Sequence, residues 1–321
     1  MKTLLAPVLS LLLLTLTMGC QKSDDTVVAQ PKTASDFLAE TPTFSILNAA
    51  VKQAGLADAL KATNLTVFAP TDDAFKAKGF TTPESVKNSP VETLKGILRY
   101  HLITGIITTK TPELATADNL AVETANPAAL YLTNGANGLF VNGAKVTKTD
   151  QLVVNGVIHT VGTLLIPPAT DAVMALRTRS DMTLLLAAVT RAAAAQPDLM
   201  AILNGTTTTA SLKQLTIFAP NDAAFTAAGF RTVADINAAA PATLAGILRY
   251  HVVPGLAFSN RLQAGALTTL NTSATNRLTL ATPTTGITVK GNKNATAATV
   301  KEADVLAKNA VIHVIDQVLM P

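Results

Sequence analysis

One cysteine, Cys20, stands in a chain of 321 residues, and there is no tryptophan. A lone cysteine excludes a disulfide within the chain, a thiolate metal site, and any thiol mechanism that needs a second sulfur. Aromatic residues make up only 4% of the chain, and 25 Lys and Arg lie scattered against 21 Asp and Glu, for a formal net charge of +4. A nucleic-acid surface needs a concentrated basic face, often interleaved with stacking rings, so no nucleic-acid partner is expected. After Met18 no apolar run reaches the ~18 residues that a membrane-spanning helix requires. There are four histidines, with no His-x-His and no His-Glu-x-x-His, and neither Gly-x-Ser-x-Gly nor Gly-x-x-x-x-Gly-Lys-Ser/Thr occurs. Those patterns carry metal ligands, a nucleophile elbow and a phosphate cradle. No cofactor or metal is therefore expected, and an enzyme is the least expected class.

What is present begins with a leader. Lys2 is followed by an uncharged, mostly apolar stretch from Leu4 to Met18, short for a membrane span and suited to a signal-peptide core. It ends at Thr17-Met18-Gly19-Cys20, which resembles the bacterial lipobox with threonine where leucine is usual. Residues 1–20 are thus read as a lipoprotein signal peptide with Cys20 as the lipidated residue. Residues 21–33 are polar and without period, as in a flexible tether. Within them Lys22-Ser23-Asp24-Asp25 resembles the acidic export signal of some surface-exposed lipoproteins.

The strongest internal signal is a duplication. Gly96-Ile-Leu-Arg-Tyr-His101 recurs unchanged as Gly246-Ile-Leu-Arg-Tyr-His251, an offset of 150 residues. Leu65-Thr-Val-Phe-Ala-Pro-Thr-Asp-Asp-Ala-Phe75 matches Leu215-Thr-Ile-Phe-Ala-Pro-Asn-Asp-Ala-Ala-Phe225 at the same offset, and Asn155-Gly-Val-Ile-His159 matches Asn309-Ala-Val-Ile-His313 at 154. A period this long is domain-sized. Two copies of one domain are expected, at 34–168 and 169–321.

Local patterns give each copy an α+β layout, helices first and strands later. In the first copy a helix is predicted from Thr41-Pro42, with Phe44, Leu47, Val51 and Ala54 on one face and Gly55 at its end. A short helix over 56–62 and a buried strand over 65–68 follow. The phrase 94–101 reads as a helix with Leu94, Ile97, Leu98 and His101 on one face, handing over to a strand. Further strands are predicted over 103–109, 120–124, 130–133, 139–142, 145–147 and 153–165, with Asn142-Gly143 as a hairpin turn. In the second copy Asp181 is expected to cap a helix carrying Met182, Leu185 and Val189. The offset between copies grows from 138 at Val189 to 150 at Phe218, so extra residues around Pro197 and 204–209 are read as surface loop.

Candidate site residues come from what the two copies share. His101 and His251 continue an apolar helix face, and His159 and His313 lie on strands, so all four are expected as hydrogen-bonded core residues. Tyr100-His101 and Tyr250-His251 are kept as a motif that serves either interaction or structure. Thr71 or Asp72 is placed to cap the helix that follows; Asp72 recurs as Asp222 while Asp73 becomes Ala223, which favours helix capping over a working pair of carboxylates.

The box 65–75, then Leu-Arg-Tyr-His, then Asn-Gly-Val-Ile-His with Leu164-Leu165-Ile166-Pro167 resemble the fasciclin domain family, in order and twice over. The resemblance covers nearly all of 32–321. It implies two tandem domains, each a β-wedge or sandwich with several helices packed against it. It also implies adhesion or matrix binding without catalysis. In animal relatives the Tyr-His region is linked to receptor binding, which would carry over to Tyr100-His101 and Tyr250-His251. The function expected is that of an envelope- or surface-anchored binding protein. Its partners would be an unidentified surface, matrix protein or glycan, and the membrane through the lipid on Cys20. Its place would be the outer membrane, facing the surface or the periplasm. A periplasmic carrier of a small ligand or glycan is the alternative.

Overall fold

The computed structural model describes residues 32–116, 118–272, 276–284 and 286–321. The expected signal peptide, Cys20 and the tether up to residue 31 lie outside the described residues.

The first copy opens earlier than its sequence suggests. The Thr33 hydroxyl accepts from the Asp36 amide while the Asp36 carboxylate accepts from the Thr33 amide, a capping box that starts helix α1 (Ala34–Glu40). The Lys32 carbonyl accepts from the Val154 amide at 2.9 Å. Lys32 and Thr33, assigned to the tether from sequence, are therefore bonded into the domain. Only Ala34 and Leu38 of α1 are buried, too few for a visible period.

A 3-10 turn at Pro42–Phe44 leads into α2 (Ser45–Ala54). This helix buries Ile46, Leu47, Ala50, Val51 and Ala54 and stops at Gly55, where φ is +66°, a left-handed cap that glycine adopts without strain. The helix predicted over 56–62 shrinks to a 3-10 turn at Ala59–Lys61. Then come β1 (Leu65–Pro70), α3 (Asp72–Lys76), α4 (Val91–Tyr100), β2 (Leu102–Thr104), α5 (Pro112–Thr116), β3 (Leu120–Val122), β4 (Leu130–Gly135), β5 (Gly138–Val141), β6 (Ala144–Val153) and β7 (Gly156–Val161). The strand predicted over 103–109 ends after three residues, because the chain turns at Gly105 with φ +122°. The strand predicted over 153–165 is cut by a turn at Val154-Asn155 into the end of β6 and all of β7. Asn142 and Gly143, with φ of +48° and +80°, join β5 to β6 as the hairpin signal requires.

The seven strands form one sheet in the order β2-β1-β7-β6-β5-β4-β3. The pair β1–β7 is parallel and the other neighbours are antiparallel. β6 belongs to both halves of the sheet, facing β5 with Ala144 and Lys145 and β7 with Val146 to Val153. Its register slips at Lys148 and Gln151, and Asp150 between them has φ +56°. Such bulges bend a strand, so the sheet encloses one core and presents another to the helices. Val67, Leu98 and Ile158 join α1, α2 and α4 in the helical core, while Phe68, Tyr100, Leu132, Val141 and Val161 fill the second. Successive residues of β1 alternate between the two cores, which is why every one of them is buried.

The second copy repeats this plan with α6 (Ala172–Arg177), α7 (Thr183–Ala193), α8 (Pro197–Leu203), β8 (Leu215–Pro220), α9 (Asp222–Ala227), α10 (Val233–Ala238), α11 (Pro241–Tyr250), β9 (Val252–Pro254), β10 (Gly265–Thr268), β11 (Arg277–Ala281), β12 (Thr288–Lys290), β13 (Ala298–Ala307) and β14 (Ala310–Ile315). Its sheet order is β10-β11-β12-β13-β14-β8-β9. Two sequence expectations fail here. The extra residues after Val189 are not all loop, because α8 buries Leu199, Ile202 and Leu203. Asp181 does not cap α7, whose N-cap is Met182 without a side-chain bond. The Asp181 carboxylate is taken by Arg179.

Candidate functional site

The duplicated Tyr-His phrase lies inside the fold. α4 ends on His101, whose Nδ1 lies 2.8 Å from the Ile97 carbonyl while its Nε2 accepts the Leu165 amide at 3.1 Å. An amide can only donate, so Nε2 is the bare nitrogen and Nδ1 carries the proton. His251 repeats this with the Ile247 carbonyl and the Leu319 amide, both at 2.8 Å. Each ring ties the end of its helix to the closing segment of its domain. Full burial pushes both imidazoles down to about 4, against the pull of the helix carbonyl each one meets.

Tyr100 is equally internal. Its hydroxyl donates to the Ala129 carbonyl and accepts from the Asn142 side chain, each at 2.9 Å. The Tyr250 hydroxyl donates to the Arg277 carbonyl at 2.6 Å and accepts from the Asn292 amide at 3.0 Å. Burial raises both phenols above their ordinary range. With Tyr100 and Tyr250 at 0% exposure and His101 and His251 at 2%, the phrase offers no ring to an outside partner.

The strand-borne histidines hold the bulge. His159 Nδ1 accepts the Asp150 amide at 3.2 Å, its Nε2 faces the Ile107 carbonyl at 2.8 Å, and its ring stacks on Phe68 with centroids 5.1 Å apart. His313 does the same with the Asp304 amide, the Ala257 carbonyl and Phe218. Burial lowers the pKa of both imidazoles. The Asp150 carboxylate in turn accepts from the Thr109 amide at 2.9 Å and from its hydroxyl. Asp304 accepts from the Ser259 amide at 2.7 Å and from its hydroxyl. Ser259, Asp304 and His313 have the composition of a hydrolytic triad without its wiring. A triad aims the hydroxyl at the imidazole and the carboxylate at the other ring nitrogen. Here the hydroxyl donates its hydrogen bond to the carboxylate, and of Asp304 the ring meets only the backbone amide.

Asp72 and Asp222 do cap helices, but not their own. The hydroxyl of Thr71 caps α3 and the amide oxygen of Asn221 caps α9. Asp72 Oδ1 accepts the Ile46 amide at 2.8 Å and Oδ2 accepts the Ser45 hydroxyl at 2.7 Å, closing the start of α2. Asp222 closes the start of α7 through the Leu184 amide at 2.8 Å and the Thr183 hydroxyl at 2.5 Å. Two further pairs carry structure that sequence reasoning missed. Asn155 accepts from the Ala34 amide and donates to the carbonyls of Leu60 and Ala62, all at 2.8 Å; Asn309 repeats this with Ala172 and Leu203. Asp150 and Asp304 hold the bulges. Both pairs share the 154-residue offset of the closing box, and that is the signal that could have found them. Among the described residues, no three His, Cys, Asp or Glu are grouped to hold a metal ion.

The fasciclin domain matches residues 42–167 and again residues 185–321. The chain belongs to the fasciclin-domain family. Over 151 residues, 44% of its length, the chain is 38% identical to the protein sll1483 of Synechocystis sp., of which this covers 80%. The chain is also similar to human periostin, 26% identical over 260 residues, which are 80% of this chain but only 28% of periostin. Among solved structures, a FAS1 domain pair from the insect cell adhesion molecule fasciclin I covers 86% of this chain at 18% identity, with 96% of its own length covered and a TM-score of 0.39. Fasciclin domains occur in cell-adhesion and extracellular proteins, and fasciclin-domain relatives are secreted or surface proteins. No helix among the described residues is long and apolar enough to cross a membrane.

Proposed function

We propose that this fasciclin-domain chain is a binding protein of the cell envelope, held by a lipid on Cys20. It would contact a surface, matrix protein or glycan through the outer faces of its two domains, and it would catalyse no reaction. The observation that carries this reading is the use of the shared motifs. In both copies the histidine nitrogens, tyrosine hydroxyls and motif carboxylates are hydrogen-bonded within their own domain. The residues best suited to chemistry are committed to holding the fold, which supports binding at the outer surface as the role of the pair.

Cell fractionation tests the anchor and surface shaving tests the face. Cys20→Ala is expected to move the protein from the membrane fraction to the soluble one, and protease treatment of whole cells is expected to release its peptides. A native protein already soluble, with an unmodified N-terminus, overturns the anchor. Arrays of glycans and matrix proteins probed with purified protein test binding, and saturable capture is the expected result. A carrier of free small ligands is the second reading, supported by a cleft of about 610 Å³ lined by Tyr131, Pro167, Pro168 and Lys308, a size typical of ligand sites. Calorimetric binding of free saccharides, with no capture by immobilised matrix, would favour it.

A further inference from the structure

The two fasciclin domains meet along a seam whose two sides are different surfaces. The first domain contributes the start of β3, the outward residues of β4 and the β5–β6 turn. The second contributes the segment after β9, the bulge of β13 at Asp304, and Gln214, whose side chain donates to the Tyr131 hydroxyl at 3.3 Å. Across it the Asn119 side chain donates to the Leu256 carbonyl at 2.8 Å and the Asn260 side chain donates to the Thr133 hydroxyl at 2.6 Å. Arg261 pairs with Asp118, and the Tyr131 and Phe258 rings pack with centroids 5.7 Å apart. Gly143 lies so close to the Asp304 carboxylate that a Cβ there would collide with it, so the seam rests on the hydrogen-bonded bulge of the second domain.

The polar contacts are weak determinants. Asn119 Oδ1 and Asn260 Oδ1 are buried without a hydrogen-bond partner, which offsets much of what their amides gain. The Asp118 side chain is 86% exposed, so its ion pair is screened. The aromatic pair decides, because Phe258 is 1% exposed and belongs to neither core of its own domain.

The internal repeat shows what the same positions carry where no neighbour covers them. Thr66 accepts the Ile107 amide as Thr216 accepts the Ala257 amide, and Thr109 meets Asp150 as Ser259 meets Asp304. Phe258 is therefore the counterpart of Thr108. Tyr100 reaches the Ala129 carbonyl as Tyr250 reaches that of Arg277, which makes Thr279 the counterpart of Tyr131. The neighbouring Leu130 and Leu132 and their counterparts Leu278 and Leu280 are all buried. Lys110 and Ala281 stand where Asn260 and Thr133 form their bond. Ile106, the counterpart of half-buried Leu256, is 46% exposed.

We propose that the seam is a head-to-tail joint made once, between the two domains of this chain, and that both outer ends lack the residues needed to repeat it. A heterologous contact present on every copy would propagate from molecule to molecule, into a closed ring or an open filament. Here one end offers Thr108 and Lys110 and the other Thr279 and Ala281, so a further copy finds neither the ring pair nor the amide bond. The surface formed by Tyr131, Thr133 and Asn119 has one fitting partner, the second domain of the same molecule, and the pair moves as one body.

Two double substitutions in the purified protein test this. Tyr131→Thr with Phe258→Thr installs the residues of the free ends in the seam, and the radius of gyration from small-angle X-ray scattering is expected to rise while far-UV circular dichroism stays unchanged. An unchanged scattering profile would mean that the rings do not hold the joint. Thr108→Phe with Thr279→Tyr installs the rings at the free ends, and the sedimentation coefficient is expected to rise with concentration while the parent stays monomeric. A variant that stays monomeric over the same range overturns the proposal, as does a parent that self-associates. Self-association by Thr108→Phe alone also overturns it, since the new ring would then be merely adhesive.

Discussion

At the residue scale the two helix-end histidines act as internal struts. Each works only while neutral, because one nitrogen must accept an amide proton. Their folded pKa of about 4 lies below the unfolded value of about 6.5. Between these values the unfolded chain binds a proton that the folded chain refuses, so stability falls as the pH drops through that window and is complete above it. By linkage the loss approaches about 3 kcal/mol per histidine near pH 4. Denaturant melts from pH 7 to pH 4.5 are expected to show a steady fall in midpoint. At pH 7, His101→Ala and His251→Ala are each expected to cost about 1–3 kcal/mol, from two lost hydrogen bonds and a small cavity. Each variant should also have a shallower pH dependence. Midpoints that match the parent at both pH values would return the Tyr-His phrase to the surface.

At the element scale the notable device is a cap supplied from elsewhere in the chain. α2 begins after Phe44 and α7 after Met182, neither of which can accept an amide proton through its side chain. Asp72 and Asp222 supply the missing acceptor from the first turn of a later helix, and so fix α3 against α2 and α9 against α7. Asp72→Ala is expected to destabilise the first domain by about 1–2 kcal/mol and to speed hydrogen exchange of the Ile46 amide. Asp72→Asn should retain most of the stability, because asparagine caps as well as aspartate. Equal losses for the two variants would show that charge, and not the accepted bonds, is what matters there.

At the scale of the whole molecule the cores are separate while the seam is shared. Each domain has a helical core and a sheet core, and none of these four clusters mixes residues of the two domains. Residues 32–167 and 169–321, expressed apart, are each expected to melt cooperatively by calorimetry, since each holds a complete core. Loss of the transition in either half would mean that it borrows stability from the seam. Tyr131 and Phe258 pack on each other across the seam, so the first domain alone would gain an exposed tyrosine and the second an exposed phenylalanine. The second half is expected to be the less soluble.

The sequence by itself determined the duplication, the burial of His101 and His251, the stop at Gly55 and the Asn142-Gly143 hairpin. All four rest on local quantities: spacing along a helix face, a backbone angle that glycine or asparagine tolerates, or identity at a fixed offset. Only the tertiary structure decided that β1 lies parallel to β7, that Asp72 serves a helix 26 residues upstream, that Asp150 and His159 brace one bulge, and that Tyr131 faces Phe258. The physical reason is one of reach. A residue's neighbours in sequence set which way it points, but the partner of a buried polar atom or ring is chosen by sheet order and by the meeting of two finished domains. Nothing in the local pattern of either strand or loop records that choice.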